Sequence, residues 1–345
     1  MTASAQTTLS LDAPQDMVTK ILSHLKDDHG MAFRPKGAGG HVFEQDGYRI
    51  EFALRPRALE VRLQAPSDSA MQFSKEGMVH HIAAFDPALA ETIRWQGLAQ
   101  KVGAAPSNFR LLTLLRSRRL FEGMQRVALH YPDIGALSAQ GLHLRLILPC
   151  DPARPPVWPV MGANGAPVWP KGPDALHARY VTLKNIRPER EEVDIDVVRH
   201  GAGLISRWAQ AARTGAKIGA MGPVGLSALP QAPSYFIAAD GTGLPIVAQL
   251  LARLPHDAKG DVVVALPQSL RPQDYLPPSS LRLHQLPPQV FDRDILGAAQ
   301  RFAKPGTGYG FFAGEFTTAQ QLRNHFKGPL GLGKGQQMST AYWRR

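Results

Sequence analysis

Several groups of residues in this chain have types and spacings that suit electron-transfer chemistry. Arg179-Tyr180-Val181-Thr182-Leu183-Lys184 offers a guanidinium, a hydroxyl and an ammonium on an alternating segment. His200-Gly201-Ala202-Gly203-Leu204-Ile205-Ser206-Arg207-Trp208 follows, with a Gly-x-x-Ser turn that opens a helix. Amides at a helix start can face a pyrophosphate, and a bidentate guanidinium matches a diphosphate. This is the donor set that a phosphate-bearing flavin needs, with Thr182 available to the ring or the ribityl chain. Gly-x-x-Ser alone describes any capped helix. Its weight comes from following Arg-x-x-Thr.

Downstream, Asp240-Gly241-Thr242-Gly243-Leu244-Pro245 sits between an apolar run and a helical pattern. Glycines there let a dinucleotide approach the backbone at the carboxyl end of a strand, although the full Gly-x-Gly-x-x-Gly fingerprint is absent. Gly310-Phe311-Phe312-Ala313-Gly314-Glu315 ends a second apolar run, and Tyr342-Trp343-Arg344-Arg345 closes the chain. Glu315 and Asp240 are expected at one sheet edge, where a nicotinamide would lie.

The elements that must position these groups follow from periodicity. Asp12 with Gln15 marks a helix start before Val18, Ile21, Leu22 and Leu25, and Asp46-Gly47 marks a hairpin between Val42-Phe43 and the alternating Tyr48, Ile50, Phe52 and Leu54. Leu59, Val61 and Leu63 alternate, and Met78, Val79, Ile82 and Phe85 suggest a second helix. Residues 1–97 therefore read as a small α+β domain. A basic connector over 98–119 then leads into a β-rich region, 120–232, expected to be an antiparallel barrel with one helix. Within it Leu142, Leu144, Leu146 and Leu148 alternate, and Asp151 to Pro173 is a proline-rich hairpin or loop. From 233 to 345 short apolar strands alternate with helices, which predicts an α/β domain with a parallel sheet.

Composition narrows the function further. Hydrophobic residues make up 44% and charged residues 19%, an ordinary globular balance. The lone Cys150 excludes an intramolecular disulfide framework and Cys-ligated clusters. His24, His29, His80 and His81 invite a metal site, but adjacent helical residues point about 100° apart, so no metal is expected. Ser234 to Leu254 carries Asp240, Gln249 and Arg253 and is no membrane span. The first residues lack a signal-peptide pattern, so a soluble cytoplasmic protein is expected. The net charge of +11 includes one dense cluster, Arg116-Ser117-Arg118-Arg119, without the interleaved aromatics of a single-strand nucleic-acid binder. Phe316 to Arg345 holds Arg323, Lys327, Lys334, Arg344 and Arg345 with no acidic residue. A basic surface attracts nucleic acid, anionic lipid or anionic small molecules alike. This one reads either as a scattered solvated face or as a funnel for an anionic substrate. An anionic small molecule is the expected partner, with no nucleic acid and no membrane insertion.

The order of motifs resembles the siderophore-interacting proteins, ferric-siderophore reductases of the ferredoxin–NADP⁺ reductase superfamily. The resemblance runs from about Leu120 to Arg345. It rests on Arg-x-x-Thr-x-Lys, His-Gly-x-Gly-x-x-Ser-x-Trp-Ala, Gly-x-x-Gly-Pro-x-Gly, Asp-x-Thr-x-Leu-Pro, Ala-Gly-Glu and Tyr-Trp-Arg. It implies a barrel that binds FAD, a domain that binds NADPH or NADH, and reduction of siderophore-held Fe(III). The N-terminal unit resembles a small domain of unknown function. By position, Arg179, Tyr180, Val181, Thr182 and Lys184 fall on the family's flavin strand. His200, Gly201, Gly203, Ser206 and Trp208 fall on its FAD-phosphate segment. Asp240 and Glu315 would act at the nicotinamide, beside Thr242, Gly243, Ala313 and Gly314. Lys334, Arg344 and Arg345 would hold the anionic siderophore, with no protein ligand to iron. Val181 stands where the family has tyrosine and Lys184 where it has arginine. Gly241, Gly243 and Phe311 replace its Glu, Ala and Trp. The alternatives are a general NAD(P)H:flavin or quinone reductase and a non-catalytic flavin or siderophore binder. The oligomeric state stays open, a monomer included.

Overall fold

The computed structural model describes residues 3–29, 31–37, 39–97, 101–137, 141–201, 203–306 and 308–345. The chain divides into two compact units. Met1–Leu111, Arg145–Ala178 and Gly219–Val224 form one, and Leu112–Leu144, Arg179–Ile218 and Gly225–Arg345 form the other.

The N-terminal segment runs β1 (Ala3–Ser10), α1 (Pro14–His29), β2 (Arg34–Lys36), β3 (Gly40–Gln45), β4 (Tyr48–Arg55), β5 (Ala58–Ala65), α2 (Asp68–Ala83), α3 (Pro87–Thr92) and β6 (Gln96–Gly97). Its sheet has the order β2-β3-β4-β5-β1-β6. The sequence reading began with a helix, but β1 precedes it and pairs antiparallel with β5. The inward residues of β1 are Ala3, Ala5, Thr7 and Leu9, too small on average to display an apolar alternation. The Asp46-Gly47 hairpin forms with φ of 50° and 80°, the positive values that a two-residue primed turn demands. Val18, Ile21 and Leu25 of α1 are at most 1% exposed, as their spacing requires. Phe85 lies past the end of α2 and is exposed, so the second helical pattern ends sooner than expected.

Three of the four histidines come together only as pairs. His24 Nε2 lies 3.0 Å from His81 Nδ1, and the His80 and His81 rings are 5.9 Å apart. The side chain of His29 lies outside the described residues. Among the described residues no group of three or more His, Cys, Asp or Glu could hold a metal ion.

The middle of the chain contributes β7 (Phe109–Phe121), β8 (Met124–His130), a short α4 (Ile134–Leu137), β9 (His143–Pro149), β10 (Val160–Met161), β11 (Pro167–Val168), β12 (Leu176–Arg187), β13 (Glu192–Val198), α5 (Leu204–Ala211) and β14 (Lys217–Val224). Six of these strands close a barrel in the order β12-β13-β8-β7-β14-β9. Residues 98–100 of the expected connector lie outside the described residues. Most of its remainder is barrel: β7 starts at Phe109, and Arg116, Arg118 and Arg119 lie on it. Arg116 pairs with Glu192, and Arg116, Arg118 and Arg119 are exposed, so the basic cluster is the solvated part of a strand that buries Leu112 and Leu114 before a bulge at its middle. The proline-rich segment is the hairpin β10–β11. Its tip is fastened by Trp95, whose Nε1 donates to Asn164 O at 2.9 Å, and by Gln72, whose Nε2 donates to Gly165 O at 2.9 Å.

The C-terminal segment runs β15 (Tyr235–Ala239), α6 (Leu244–Leu251), β16 (Gly260–Ala265), β17 (Arg282–Leu286), α7 (Phe291–Phe302), β18 (Tyr309–Glu315), α8 (Phe316–Lys327) and β19 (Gln337–Trp343). The five strands are parallel, in the order β17-β16-β15-β18-β19. Every residue of β15 and of β18 is buried, which explains their unbroken apolar runs. The sequence reading missed β17 and α7. As an edge strand β17 reads polar, because Arg282 and His284 both bond Asp261. The chain enters this sheet at β15 and winds outward on both sides, so the crevice between β15 and β18 is its topological switch point. Among the described residues no helix is long and apolar enough to cross a membrane.

Candidate functional site

The barrel side of the site starts on β12. Arg179 and Tyr180 are exposed, Tyr180 to 53%, whereas Thr182 is 3% exposed and Lys184 9%. Along a strand successive side chains alternate, so Tyr180, Thr182 and Lys184 share one face and Arg179, Val181 and Leu183 the other. The loop before α5 is folded by its own polar groups. Ser206 Oγ accepts from His200 N at 2.8 Å and donates to His200 O at 2.9 Å, while Gly203 N donates to His200 Nδ1 at 3.2 Å. A Cβ on Gly203 would come within 2.3 Å of the His200 ring. Ser206 is 1% exposed, so its hydroxyl shapes the loop and leaves the helix-start amides to meet a phosphate. Gly201 lies exposed on the same loop, and Trp208 is half-buried on α5; Ala202 lies outside the described residues.

The sheet side repeats this logic. Asp240 Oδ1 accepts from Thr242 N at 2.7 Å and Thr242 Oγ1 at 2.6 Å, and Asp240 Oδ2 accepts from Trp343 Nε1 at 2.7 Å. Asp240 thus folds the turn before α6 and ties the end of β19 to it. A Cβ on Gly243 would lie 2.5 Å from Ala313 O, and one on Gly314 would lie 2.7 Å from Asp240 Oδ2. Only glycine permits that approach of α6, β15 and β18. Gly241 faces open space, with the nearest atom to its added Cβ at 3.9 Å, so the outer backbone of the turn is accessible to a ligand. The glycines of this turn leave room for a dinucleotide across the strand ends. An exposed guanidinium and free amides at a helix start, which Arg179 and α5 each offer, are groups of the kind that bind phosphate.

Glu315, 3% exposed, caps α8: its Oε2 accepts from Thr317 N at 2.6 Å and Thr318 N at 3.1 Å. Burial pushes its carboxyl up, but those amides, the Arg345 backbone N–H and the Arg345 charge together hold it below the ordinary range. Beside it opens a cavity of about 580 Å³ lined by Asp292, Glu315, Phe316, Arg344, Arg345 and neighbours on α7 and α8. The Arg344 guanidinium lies over the Phe316 ring, 3.8 Å from its centre, and Arg345 pairs with Asp292. Glu315, Arg344 and Arg345 therefore meet as expected from sequence, whereas Lys334 is exposed on a separate turn and does not line this cavity.

Two family models match this part of the chain. Residues 113–227 match the siderophore-interacting FAD-binding domain, and residues 232–345 match the siderophore-interacting protein. Over those residues the chain belongs to the siderophore-interacting protein family. The chain is 33% identical over 174 residues, 49% of its length and 66% of the relative's, to an Escherichia coli (strain K12) protein named NADPH-dependent ferric-chelate reductase. It is 25% identical over 245 residues to the ferric vibriobactin reductase ViuB of Vibrio cholerae, covering 68% of this chain and 89% of that one. A crystal structure of a siderophore utilization protein from T. fusca superposes with a TM-score of 0.59 at 26% identity, covering 71% of this chain and 96% of the other.

Within this siderophore-interacting fold, Lys184 does not join the phosphate segment. Its ammonium sits 3.6 Å from the centre of the Tyr275 ring and 3.9 Å from Asp196 Oδ2, with no hydrogen-bond partner among the described residues. Burial lowers its pKa to about 8, more than Asp196 raises it. Asp196 in turn accepts from Arg126 through two bonds of 2.7 and 2.8 Å and from the Tyr275 hydroxyl at 2.7 Å. Between Thr182 and Lys184, the carbonyl of Leu183 accepts from Gln249 Nε2 at 2.8 Å. Thr182 itself bonds Tyr342, whose hydroxyl meets His143 Nε2 at 2.7 Å. Burial lowers the His143 pKa to about 4, so it is neutral near pH 7, and burial raises Tyr342. Three consecutive β12 residues therefore dock the parallel-sheet segment on the barrel. Sequence reasoning missed Arg126, His143, Asp196 and Tyr275, which are isolated polar residues without a shared motif.

Proposed function

We propose that the chain is a ferric-siderophore reductase that takes electrons from NADPH or NADH, passes them through FAD and delivers them to Fe(III) held by an anionic siderophore, releasing Fe(II). The observation that carries the reading is the meeting of Asp240, Glu315, Arg344 and Arg345 around the carboxyl ends of β15, β18 and β19, inside a chain of this family. Bound FAD would supply both hydride acceptance and single-electron donation. The chain's own residues do the holding. Arg179 and the amides at the start of α5, on a loop set by His200, Gly201, Gly203 and Ser206, bind phosphates, with Trp208 and Tyr180 flanking them. Thr242, Gly243, Ala313 and Gly314 bring two strand ends close enough for the donor to span them. Arg344 and Arg345 hold the anionic chelate, and Lys334 adds positive charge nearby in sequence. Val181 gives the ring no aromatic partner, and the neighbouring Tyr180 points to the other face of the strand. The working division is a small added domain over 1–97, an FAD barrel whose first strand starts at Phe109 and which runs to about 232, and a nucleotide domain over 233–345, in a cytoplasmic protein.

The test is anaerobic absorbance of the purified protein. A two-banded flavin spectrum should bleach with NADPH or NADH and return when a ferric siderophore is added. A colourless protein that FAD cannot reconstitute sinks the reading. Return of colour with quinones or free flavins but not with ferric siderophores makes it a general reductase. Arg179→Ala should weaken FAD binding by about 1.5–3 kcal/mol, the range for a charged hydrogen bond.

A further inference from the structure

The cavity beside Glu315 contains an acidic residue that the reading above does not use. Asp292 stands at the start of α7, with its side chain 19% exposed, and pairs with Arg345, whose side chain is 67% exposed. Thr318 Oγ1 donates a second, longer bond of 3.3 Å to Asp292 Oδ1. The remaining charges around it are accounted for. Arg293 turns to Asp294, with bonds of 2.7 and 3.0 Å, Glu315 is held by backbone amides, and Arg344 is stacked on Phe316. Arg345 is thus the one guanidinium of this cavity, among the described residues, whose charge is answered by a carboxylate inside the same cavity.

We propose that Asp292 is a built-in counter-ion for the substrate cavity, occupying Arg345 until an anionic ferric chelate displaces it. The inference rests on the reductase reading and adds charge selectivity to it. A chelate with negative oxygens can take over Arg345 and share Arg344, whereas a cationic or neutral chelate gains nothing by breaking the pair. Displacement leaves Asp292 beside a second anion, with Asp240 and Glu315 also in its field. Burial, Asp240 and Glu315 raise its pKa against the lowering effect of Arg345, so losing Arg345 raises it further. Binding therefore takes up a proton, and affinity for an anionic chelate should grow as pH falls.

Isothermal titration of the oxidised protein with ferric-EDTA, an anion, and with ferrioxamine B, a cation, tests this. Asp292→Asn keeps the size and the Thr318 bond while removing the charge. It should bind ferric-EDTA about three- to fivefold more tightly, the range expected for freeing a largely exposed ion pair, and ferrioxamine B unchanged. Wild-type affinity for ferric-EDTA should rise as pH falls toward the raised range in which Asp292 takes up its proton, and the variant should lose that dependence. Arg345→Ala should weaken ferric-EDTA binding, and adding Asp292→Asn to it should bring no gain. Equal affinity of Asp292→Asn and wild type for ferric-EDTA, or a gain for both chelates, overturns the counter-ion. A gain confined to NADPH, titrated in parallel, overturns it too, because the pair then guards the donor site. If wild type binds neither chelate while its flavin still bleaches with nicotinamide, the siderophore reading falls along with the counter-ion.

Discussion

Two charged clusters of this chain look alike on paper and differ in water. In the cavity beside Glu315, Asp292 and Arg345 pair with the arginine two-thirds exposed. Under Tyr275, Asp196 is fully buried and bonds Arg126 twice, Tyr275 once, and stands 3.9 Å from an unbonded Lys184. An exposed pair contributes little to folding and exchanges partners cheaply. A dry cluster is costly to leave half-made, and its members cannot turn to a ligand. The first arrangement suits capture of an anion, and the second suits holding the sheet segment on the barrel.

The largest expected effect comes from breaking the dry cluster. Asp196→Ala should cost about 3–5 kcal/mol of unfolding free energy in denaturant titration, because Arg126 and Lys184 are left as buried cations without a carboxylate. Asp292→Asn should shift the same measurement by less than about 1 kcal/mol. Similar losses in the two variants would erase the contrast.

Lys184 sharpens the comparison through pH. Its folded pKa of about 8 lies below the ordinary lysine value of 10.5. Between those values the unfolded chain binds more protons, so stability should rise with pH across that window, by up to about 3 kcal/mol. Lys184→Met should flatten the rise and leave the protein at least as stable near pH 7. A rise of the same size in the variant would show that Lys184 is not its source.

The smallest effect is expected at the other end of the docking strand. Tyr342→Phe removes one hydroxyl between His143 and Thr182 and should cost about 1 kcal/mol. It should also raise the His143 pKa measured by NMR only slightly, because burial, not Tyr342, holds it near 4. A return of His143 to its ordinary value would mean that the hydroxyl sets its charge state.

Much of the site was legible because it is built from local turns. His200 to Ser206 and Asp240 to Gly243 each fold on themselves through bonds spanning two to six residues, so spacing alone locates them. Spacing does not show how the polar atoms are used: oxygens of Ser206, Asp240 and Glu315 engage backbone amides and Trp343. Local motifs specify where a turn lies, while the partner of each oxygen depends on segments up to 103 residues away.

The amino-acid sequence by itself determined the unbroken apolar runs that make β15 and β18, the glycines that let α6 approach β18, and the order of motifs that places residues 113–227 and 232–345 in their family. These are consequences of backbone geometry and near-neighbour chemistry. Only the tertiary structure decided that the basic run at Arg116 to Arg119 is a barrel strand, that Lys184 stacks under Tyr275, and that Asp292 meets Arg345. Such pairings join residues 53 to 91 positions apart, and which charges end up dry is set by the packing of whole elements, which no short window of sequence contains.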